Sequence, residues 1–356
     1  MVTISACMIV KNEENNIEKC INSIKELVDE IVIVDTDSSD KTREIASKFT
    51  NKIFDFKWVD DFSAARNFSL EKASGDWILI IDADETISTK DTEKIKGLIG
   101  ENEYEGYYLI QRNYTNNDKF IGWISSSNDS YEESKIASGF IANPIIRLFK
   151  NDKRIKFEGK VHETVDSTIK NIGKVKMTDI PLHHFGLLKQ KEFAKCDRNL
   201  ELLKKELESE TNNEKEKSFI YFQIAMALLN KNEFKEAEYN LQKSLELDGD
   251  YTPALLSLSG IFIQKNELDK AEILLIRASK TNNNPNIYNN LGIIYAKKKD
   301  PRKAIKKFQR AIELNPKFTD AYFNLALAYE ENKQPKESRE CLQKIAEIDE
   351  TYLKRG

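Results

Sequence analysis

GDWILIIDADETIS, residues 75–88, carries the decision about the fold. Residues 77–81 are apolar without alternation, the pattern of a strand buried on both faces of a sheet. Polarity then inverts at once: Asp82, Asp84 and Glu85 follow, and strand formation asks for none of them. In open α/β sheets ligands bind beyond the carboxyl ends of the strands, so this acidic cluster falls where a site would form.

Working outward, the runs 4–10, 31–34, 53–56 and 107–110 alternate with amphipathic stretches, which predicts parallel strands joined by crossover helices over residues 1–112. Ile17, Cys20, Ile21, Ile24 and Leu27 fall on one helical face between the first two runs. Residues 113–143 are rich in Ser and Asn, keep no period and predict a long loop with short ordered pieces at most. Apolar runs return at Pro144 and continue to His183-His184.

Two further strand ends are polar. VDTDSSDKTREIA (34–46) ends a strand in Asp35, then places Asp37 and a Ser-Ser-Asp turn before a helix whose first amides are expected to approach phosphate or ribose. WVDDFSAARN (58–67) brings Asp60, Asp61, Arg66 and Asn67. Loops at three successive strand ends line one crevice. Two carboxylates separated by one residue beyond a strand can converge on a divalent cation that also holds a diphosphate. Acidic strand ends also cap helices, and on the motif alone that reading is the stronger one.

At 356 residues the chain accommodates two domains. Its formal charge of -4 divides into 29 Lys+Arg against 34 Asp+Glu over residues 1–200 and 26 against 25 over 201–356, a balance that lends no support to a nucleic-acid partner. Cys7, Cys20, Cys196 and Cys341 lack disulfide or metal-ligand spacing and read as reduced thiols of a cytoplasmic protein. The first apolar run stops at Lys11-Asn12-Glu13-Glu14, unlike a signal peptide, and no run approaches the roughly 20 residues of a membrane span. A soluble protein is expected, with peripheral membrane association left open.

Beyond a charged helix near 190–210, Ala225, Ser259, Gly292 and Ala326 recur at spacings of 34, 33 and 34, each followed three residues later by Leu228, Phe262, Tyr295 and Tyr329. Ala237, Ala271, Ala304 and Ser338 repeat with the same spacings, and Pro253, Pro285 and Pro316 punctuate the turns. Small residues at fixed positions let paired helices approach closely, and this pattern resembles four tetratricopeptide repeats from about 218 to 349. Such repeats bind a peptide or protein, form a homodimer, or brace the rest of the chain. AKKKDPRKAIKKFQR (296–310) is strongly basic, which fits either an anionic partner or a solvated face.

ISACMIVKNEE (4–14), EIVIVDTDSSDKT (30–42), DDFSAARN (60–67) and DADE (82–85), in that order, resemble a family 2 glycosyltransferase of the GT-A fold over residues 1–195. The resemblance is to the branch with lipopolysaccharide-core glucosyltransferases and tetratricopeptide-bearing peptide S-glycosyltransferases. It implies a Rossmann-like, mostly parallel α/β domain over 1–195, a linking helix over 196–217 and an all-α repeat superhelix over 218–356. It further implies that Val10, Asn12, Glu13 and Asp35 contact uridine, with Asp37 nearby, and that Asp61 and Arg66 hold the nucleotide and its phosphates. Asp82 and Asp84 would form the DxD element, Asp84 binding manganese or magnesium directly. For Glu13 and Asp37 a helix-capping role stays open.

All three histidines fall within 23 residues. By the same resemblance His184, in IPLHHFG (180–186), completes the metal site, with His183 as the alternative. Glu163, in RIKFEGKVHETV (154–165), is the general base, and His162 either orients it or is a buried hydrogen-bonded residue; Asp166 and Glu158 are rivals, because the Glu-Asp pair usual in the family is missing. Arg147 either approaches acceptor or phosphates or pairs with a surface carboxylate.

The resemblance thus implies an inverting, metal-dependent transfer of a hexose from a UDP-sugar, UDP-glucose or UDP-GlcNAc, to a peptide, protein or glycan acceptor. A nucleotidyltransferase would need a Gly-rich basic loop where KNEENN (11–16) is acidic and glycine-free. A tetratricopeptide adaptor with a degenerate transferase domain would predict erosion of Asp35, Asp82 and Asp84, all of which are present.

Overall fold

The computed structural model describes residues 2–101, 103–117, 123–127, 129–161, 163–188, 192–208 and 213–348. The chain divides into two compact units, Met1–Lys195 and Cys196–Gly356.

The first unit holds β1 (Ile4–Val10), α1 (Ile17–Ile24), β2 (Glu30–Asp35), α2 (Thr42–Ala46), β3 (Ile53–Asp55), α3 (Phe62–Lys72), β4 (Trp77–Ile80), β5 (Glu85–Thr86), α4 (Thr92–Gly100), β6 (Gly106–Thr115), β7 (Trp123–Ser125), β8 (Gly139–Lys150), α5 (Asp166–Lys170) and β9 (Val175–His184). The strands form one sheet in the order β3-β2-β1-β4-β8-β6-β9-β5, with β7 paired to β8. β1 to β4 are mutually parallel, as the apolar runs imply. β4 is buried throughout because both faces are covered. Leu79 packs with Ile17, Ile21 and Ile24 of α1 on one side. Ile78 and Ile80 pack with Phe149, Phe157 and Ile169 on the other.

The reading of 113–143 as a loop is corrected. β6 continues to Thr115 and β8 starts at Gly139, the two pairing antiparallel from Gly106↔Phe149 to Thr115↔Gly139. β8 thereby separates β6 from β4, so the run at 107–110 does not extend the parallel set. A long antiparallel ladder satisfies its own backbone, so Asn113, Thr115 and even Pro144 extend these strands beyond the apolar runs at 107–110 and 145–149.

Glu30 ties the amino ends of three strands together. It accepts from Ser5 Oγ at 2.5 Å and from Ser74 N at 2.8 Å, and it pairs with Lys52. Burial works to raise its pKa, but the hydrogen bonds from Lys52, Ser5 and Ser74 outweigh it and pull the value down to about 2. A carboxylate with a depressed folded pKa stabilises above its unfolded value and loses that contribution as pH falls through the folded one. Glu30→Gln is expected to cost on the order of 2 kcal/mol at pH 7. In urea melts the gap to the native protein should narrow as pH drops from about 4.5 toward about 2; a constant gap contradicts the assignment.

The second unit holds α6 (Glu192–Leu207) and four helix pairs: α7 (Glu214–Asn230) with α8 (Phe234–Leu247), α9 (Thr252–Gln264) with α10 (Leu268–Thr281), α11 (Pro285–Lys297) with α12 (Pro301–Leu314), and α13 (Thr319–Glu331) with α14 (Pro335–Ile348). The period reaches the backbone. Asn232, Asn266, Lys299 and Lys333, each between the helices of a pair, share φ of 60°. The small repeating residues are buried. At Gly292 a Cβ would lie 2.4 Å from the Phe308 ring, so only glycine admits that aromatic. Within the basic stretch, Lys298 pairs with Asp269 and Glu272 at 2.6 Å and Arg310 with Glu313 at 2.8 Å, as on a solvated face.

Candidate active site

The buried β4 delivers Asp82 into a tight turn. Asp82 N donates to Glu85 Oε2 at 2.8 Å, Glu85 N returns to Asp82 O at 2.9 Å, and Cys20 Sγ donates to the same carbonyl at 3.3 Å. Its carboxylate is gripped at both oxygens: Arg66 Nη2 from α3 meets Oδ1 at 2.8 Å and Arg147 Nη2 from β8 meets Oδ2 at 2.9 Å. Burial alone would raise the pKa of Asp82, but the two guanidiniums hold it well below the usual carboxylate range. Glu85, fully buried, goes the other way: burial raises its pKa against the pull of Arg147, 3.6 Å away, and Gln111 Nε2 donates to it at 2.6 Å.

Arg66 also donates through Nε to Glu163 Oε1 at 2.6 Å. One guanidinium therefore links the strand-end carboxylate to the expected base. The rivals lie elsewhere: Asp166 accepts from Thr164 at 2.7 Å and Lys170 at 2.9 Å, and Glu158 bonds Ser167. His162 lies outside the described residues. Arg66, expected at the phosphates, instead spends Nε and Nη2 on carboxylates. Arg147 pairs with the partly exposed Asp82 and the buried Glu85.

Pairing of β5 with β9 sets Glu85 opposite His184 and brings His184 Nε2 to 3.4 Å from Asp84 Oδ2. His184 Nδ1 lies 2.6 Å from Asn113 Oδ1, and Asn113 Nδ2 faces Gln111 Oε1 at 3.3 Å and Ile141 O at 3.4 Å. That orientation makes Oδ1 the acceptor, places the ring proton on Nδ1 and leaves Nε2 facing Asp84. Burial opposes charging of this ring, but the Asp84 hydrogen bond and the Asp84, Glu85 and Asp82 charges outweigh it and raise its pKa. Opposite Asp84, Nε2 is thus a position for either a proton or a cation.

The residues fit a divalent cation shared with a diphosphate. An oxygen and a nitrogen donor face each other, and Gly186 leaves the space beside both: a Cβ there would lie 2.6 Å from His184 Nε2 and 2.9 Å from Asp84 Oδ2. Among the described residues no group of three or more His, Cys, Asp or Glu gathers to hold a metal, so further ligands would come from the diphosphate or water. His183 does not join them. Successive strand residues point to opposite faces, and His183 is buried against Tyr114, whose hydroxyl is 2.7 Å from its Nδ1; burial, with the Arg112 and Lys19 charges, pushes its pKa down to about 3.

At the expected nucleotide end, the loops after β1 and β2 are bonded to each other. Asn12, at φ 57°, donates from N to Ser38 Oγ at 3.0 Å and accepts from Ser39 N at 2.8 Å. Buried Asp35 accepts from Ser38 N at 2.8 Å, and exposed Asp37 holds φ 76°. Val10 O accepts from Thr36 N at 2.9 Å, and Glu13 accepts from Asn16 Nδ2 at 2.5 Å at the start of α1. The amide expected to meet phosphate at the start of α2 is taken by Asp40, which accepts from Thr42 N at 2.9 Å. Asp61 caps α3, accepting from Ala64 N at 3.0 Å.

Sequence reasoning missed Glu85, Asn113 and Gly186 as site residues. Glu85 was visible in the acidic cluster; the other two reach His184 through strand register and a turn, which no local signal announces.

Residues 5–166 match the Glycosyl transferase family 2 model, and 228–291, 285–318 and 307–340 match tetratricopeptide repeat models. The chain is 27% identical over 272 residues to the SPbeta prophage-derived glycosyltransferase SunS of Bacillus subtilis, covering 74% of this chain and 60% of that one. It is 32% identical over 169 residues to a TPR repeat-containing protein of Synechococcus elongatus, 48% of this chain and 37% of that one. It is 30% identical over 192 residues to an uncharacterized glycosyltransferase of Rickettsia felis, 52% of this chain and 63% of that one. It thus spans less than two thirds of the length of each of these relatives. The crystal structure of MamA protein covers 47% of this chain and 89% of its own at 24% identity and a TM-score of 0.40, too loose a likeness to carry an argument. Strand-end carboxylates on a mixed α/β sheet, periodic helix pairs and these matches agree: the chain carries a family 2 glycosyltransferase domain at its N-terminus and tetratricopeptide repeats at its C-terminus.

Proposed function

We propose that the chain transfers a hexose from a UDP-sugar, UDP-glucose or UDP-GlcNAc, to a peptide, protein or glycan acceptor, inverting the anomeric centre. The observation that carries this reading is the bonded series Glu163–Arg66–Asp82, which ties a carboxylate base to the turn bearing Asp84, itself 3.4 Å from His184 on β9. Glu163 takes the proton of the acceptor nucleophile as that atom attacks the anomeric carbon, and the bond to the diphosphate breaks with its electron pair leaving on UDP. Arg66 holds Glu163 Oε1 and fixes the direction of the base. Asp84 and His184 hold manganese or magnesium, which when bound supplies Lewis-acid neutralisation of the departing diphosphate. Asp35, Asn12 and the backbone of Val10 line the uridine end, with Glu13, Asp37 and Asp61 in the adjoining loops.

The repeats support recruitment of a peptide or protein acceptor, and a homodimer through them is the competing use. Among the described residues no helix is long and apolar enough to cross a membrane. Free Cys7, Cys20 and Cys341 support work in the cytoplasm, where thiols stay reduced.

The test is UDP release from a panel of UDP-sugars with manganese, comparing the native chain with an Asp84→Ala/His184→Ala double variant. One donor consumed by the native chain and spared by the variant supports the reading and names the sugar. If the native chain neither consumes a donor nor binds UDP, the reading fails.

A further inference from the structure

Arg147 lies on β8, is 5% exposed and pairs with Asp82 and Glu85. What it does is visible in how Arg66 is used. The fork formed by Nε and one terminal nitrogen of a guanidinium ordinarily takes both oxygens of a single carboxylate. Here the fork of Arg66 is split: Nη2 reaches Asp82 Oδ1 at 2.8 Å and Nε reaches Glu163 Oε1 at 2.6 Å. Asp82 presents Oδ1 alone to Arg66 in the orientation that Arg147 Nη2 fixes by holding Oδ2 at 2.9 Å. The split leaves donors unused, since among the described residues Arg66 Nη1 and Arg147 Nε are both buried without a hydrogen-bond partner. Buried donors left unpaired are costly, so local satisfaction does not explain why two guanidiniums surround one carboxylate.

We infer that Arg147 is a positioning residue for the base: by holding Asp82 Oδ2 it fixes the orientation in which Arg66 is divided between Asp82 and Glu163, and so keeps Glu163 aimed. Without it, Asp82 turns both oxygens to Arg66, the Nε–Glu163 bond is lost and the base swings free. Glu85, 3.6 Å from Arg147, holds the guanidinium on the Asp82 side. This inference rests on the reading of Glu163 as general base, and the experiment separates the two.

Crystal structures of the native chain and of Arg147→Met test the geometry without any turnover. The expected result is both Asp82 oxygens on Arg66 and no Arg66–Glu163 bond in the variant; a retained bond overturns the inference. Kinetics then form a cycle among native, Arg147→Met, Glu163→Gln and the double variant, with UDP release as the readout. Arg147→Met is expected to lower kcat about 10- to 100-fold with KM for the donor within about threefold, and to add nothing in the Glu163→Gln background. An equal loss in both backgrounds means that Arg147 only supports the fold, and a loss confined to KM means that it serves donor binding; either overturns the inference. Arg147→Gln, which removes the charge and keeps a donor, carries the same structure and cycle should the methionine variant not fold. If Glu163→Gln itself turns over like the native chain, it is the base assignment that fails, whatever the crystal structures show of the Arg66 fork.

Discussion

Glu163→Gln is expected to lower kcat about 10²- to 10⁴-fold, the range that a positioned general base contributes, while leaving donor affinity nearly unchanged. Glutamine keeps an oxygen for Arg66 Nε, now 2.6 Å from Glu163 Oε1, so the side chain stays in place and only the proton-accepting charge is lost. The site therefore isolates basicity from geometry better than an alanine would. UDP release measured across donor concentrations gives kcat and KM separately, and circular dichroism checks the fold. Glu158→Gln and Asp166→Asn serve as contrasts, because their carboxylates bond Ser167 in one case and Thr164 and Lys170 in the other. A comparable loss of kcat in either contrast, with Glu163→Gln active, would move the base to that residue.

The second large effect comes from adding atoms. Gly186→Ala places a methyl group 2.6 Å from His184 Nε2 and 2.9 Å from Asp84 Oδ2, closer than van der Waals contact allows. The glycine has no left-handed φ, so alanine brings no backbone strain and the effect is steric. Either the methyl fills the place of the cation or His184 is pushed from Asp84. Manganese affinity in the presence of UDP is expected to fall at least 10-fold, and metal-dependent turnover by about 10²-fold, although every donor atom remains. Calorimetric titration of manganese checks the affinity, and a thermal melt should show a loss of at most about 3 kcal/mol from overpacking. Native manganese affinity in the variant would place the cation elsewhere.

What was legible in the sequence followed burial and periodicity. Residues 77–81 announced β4 because a strand covered on both faces has no polar positions to confuse the pattern. The repeats were legible because each helix pair reuses the same small residues at the same close approaches, Gly292 against Phe308 among them. The polar halves of β6 and β8 were not legible, since cross-strand pairing carries Asn113, Thr115 and Pro144 beyond the apolar runs at 107–110 and 145–149.

Within the site, residue type revealed less than partnership. Asp82, Asp84 and His184 stood out as chemistry at a strand end or in a cluster. Arg66 and Arg147 stood out only as cations, and a cation's target is set by packing: both were available for phosphates on paper, and both grip Asp82 in the fold. Asn113 meets His184 through the β6–β9 register, Asn113↔His184, which depends on residues 71 positions apart in sequence.

The measurement that tests the account most directly is a crystal structure with UDP and manganese, the metal located by anomalous scattering. The account expects manganese bonded to Asp84 and His184 Nε2, in contact with the diphosphate, and Asp82 still held between Arg66 and Arg147. Manganese bound to Asp82 with the arginines displaced, or UDP seated away from β4, would contradict it.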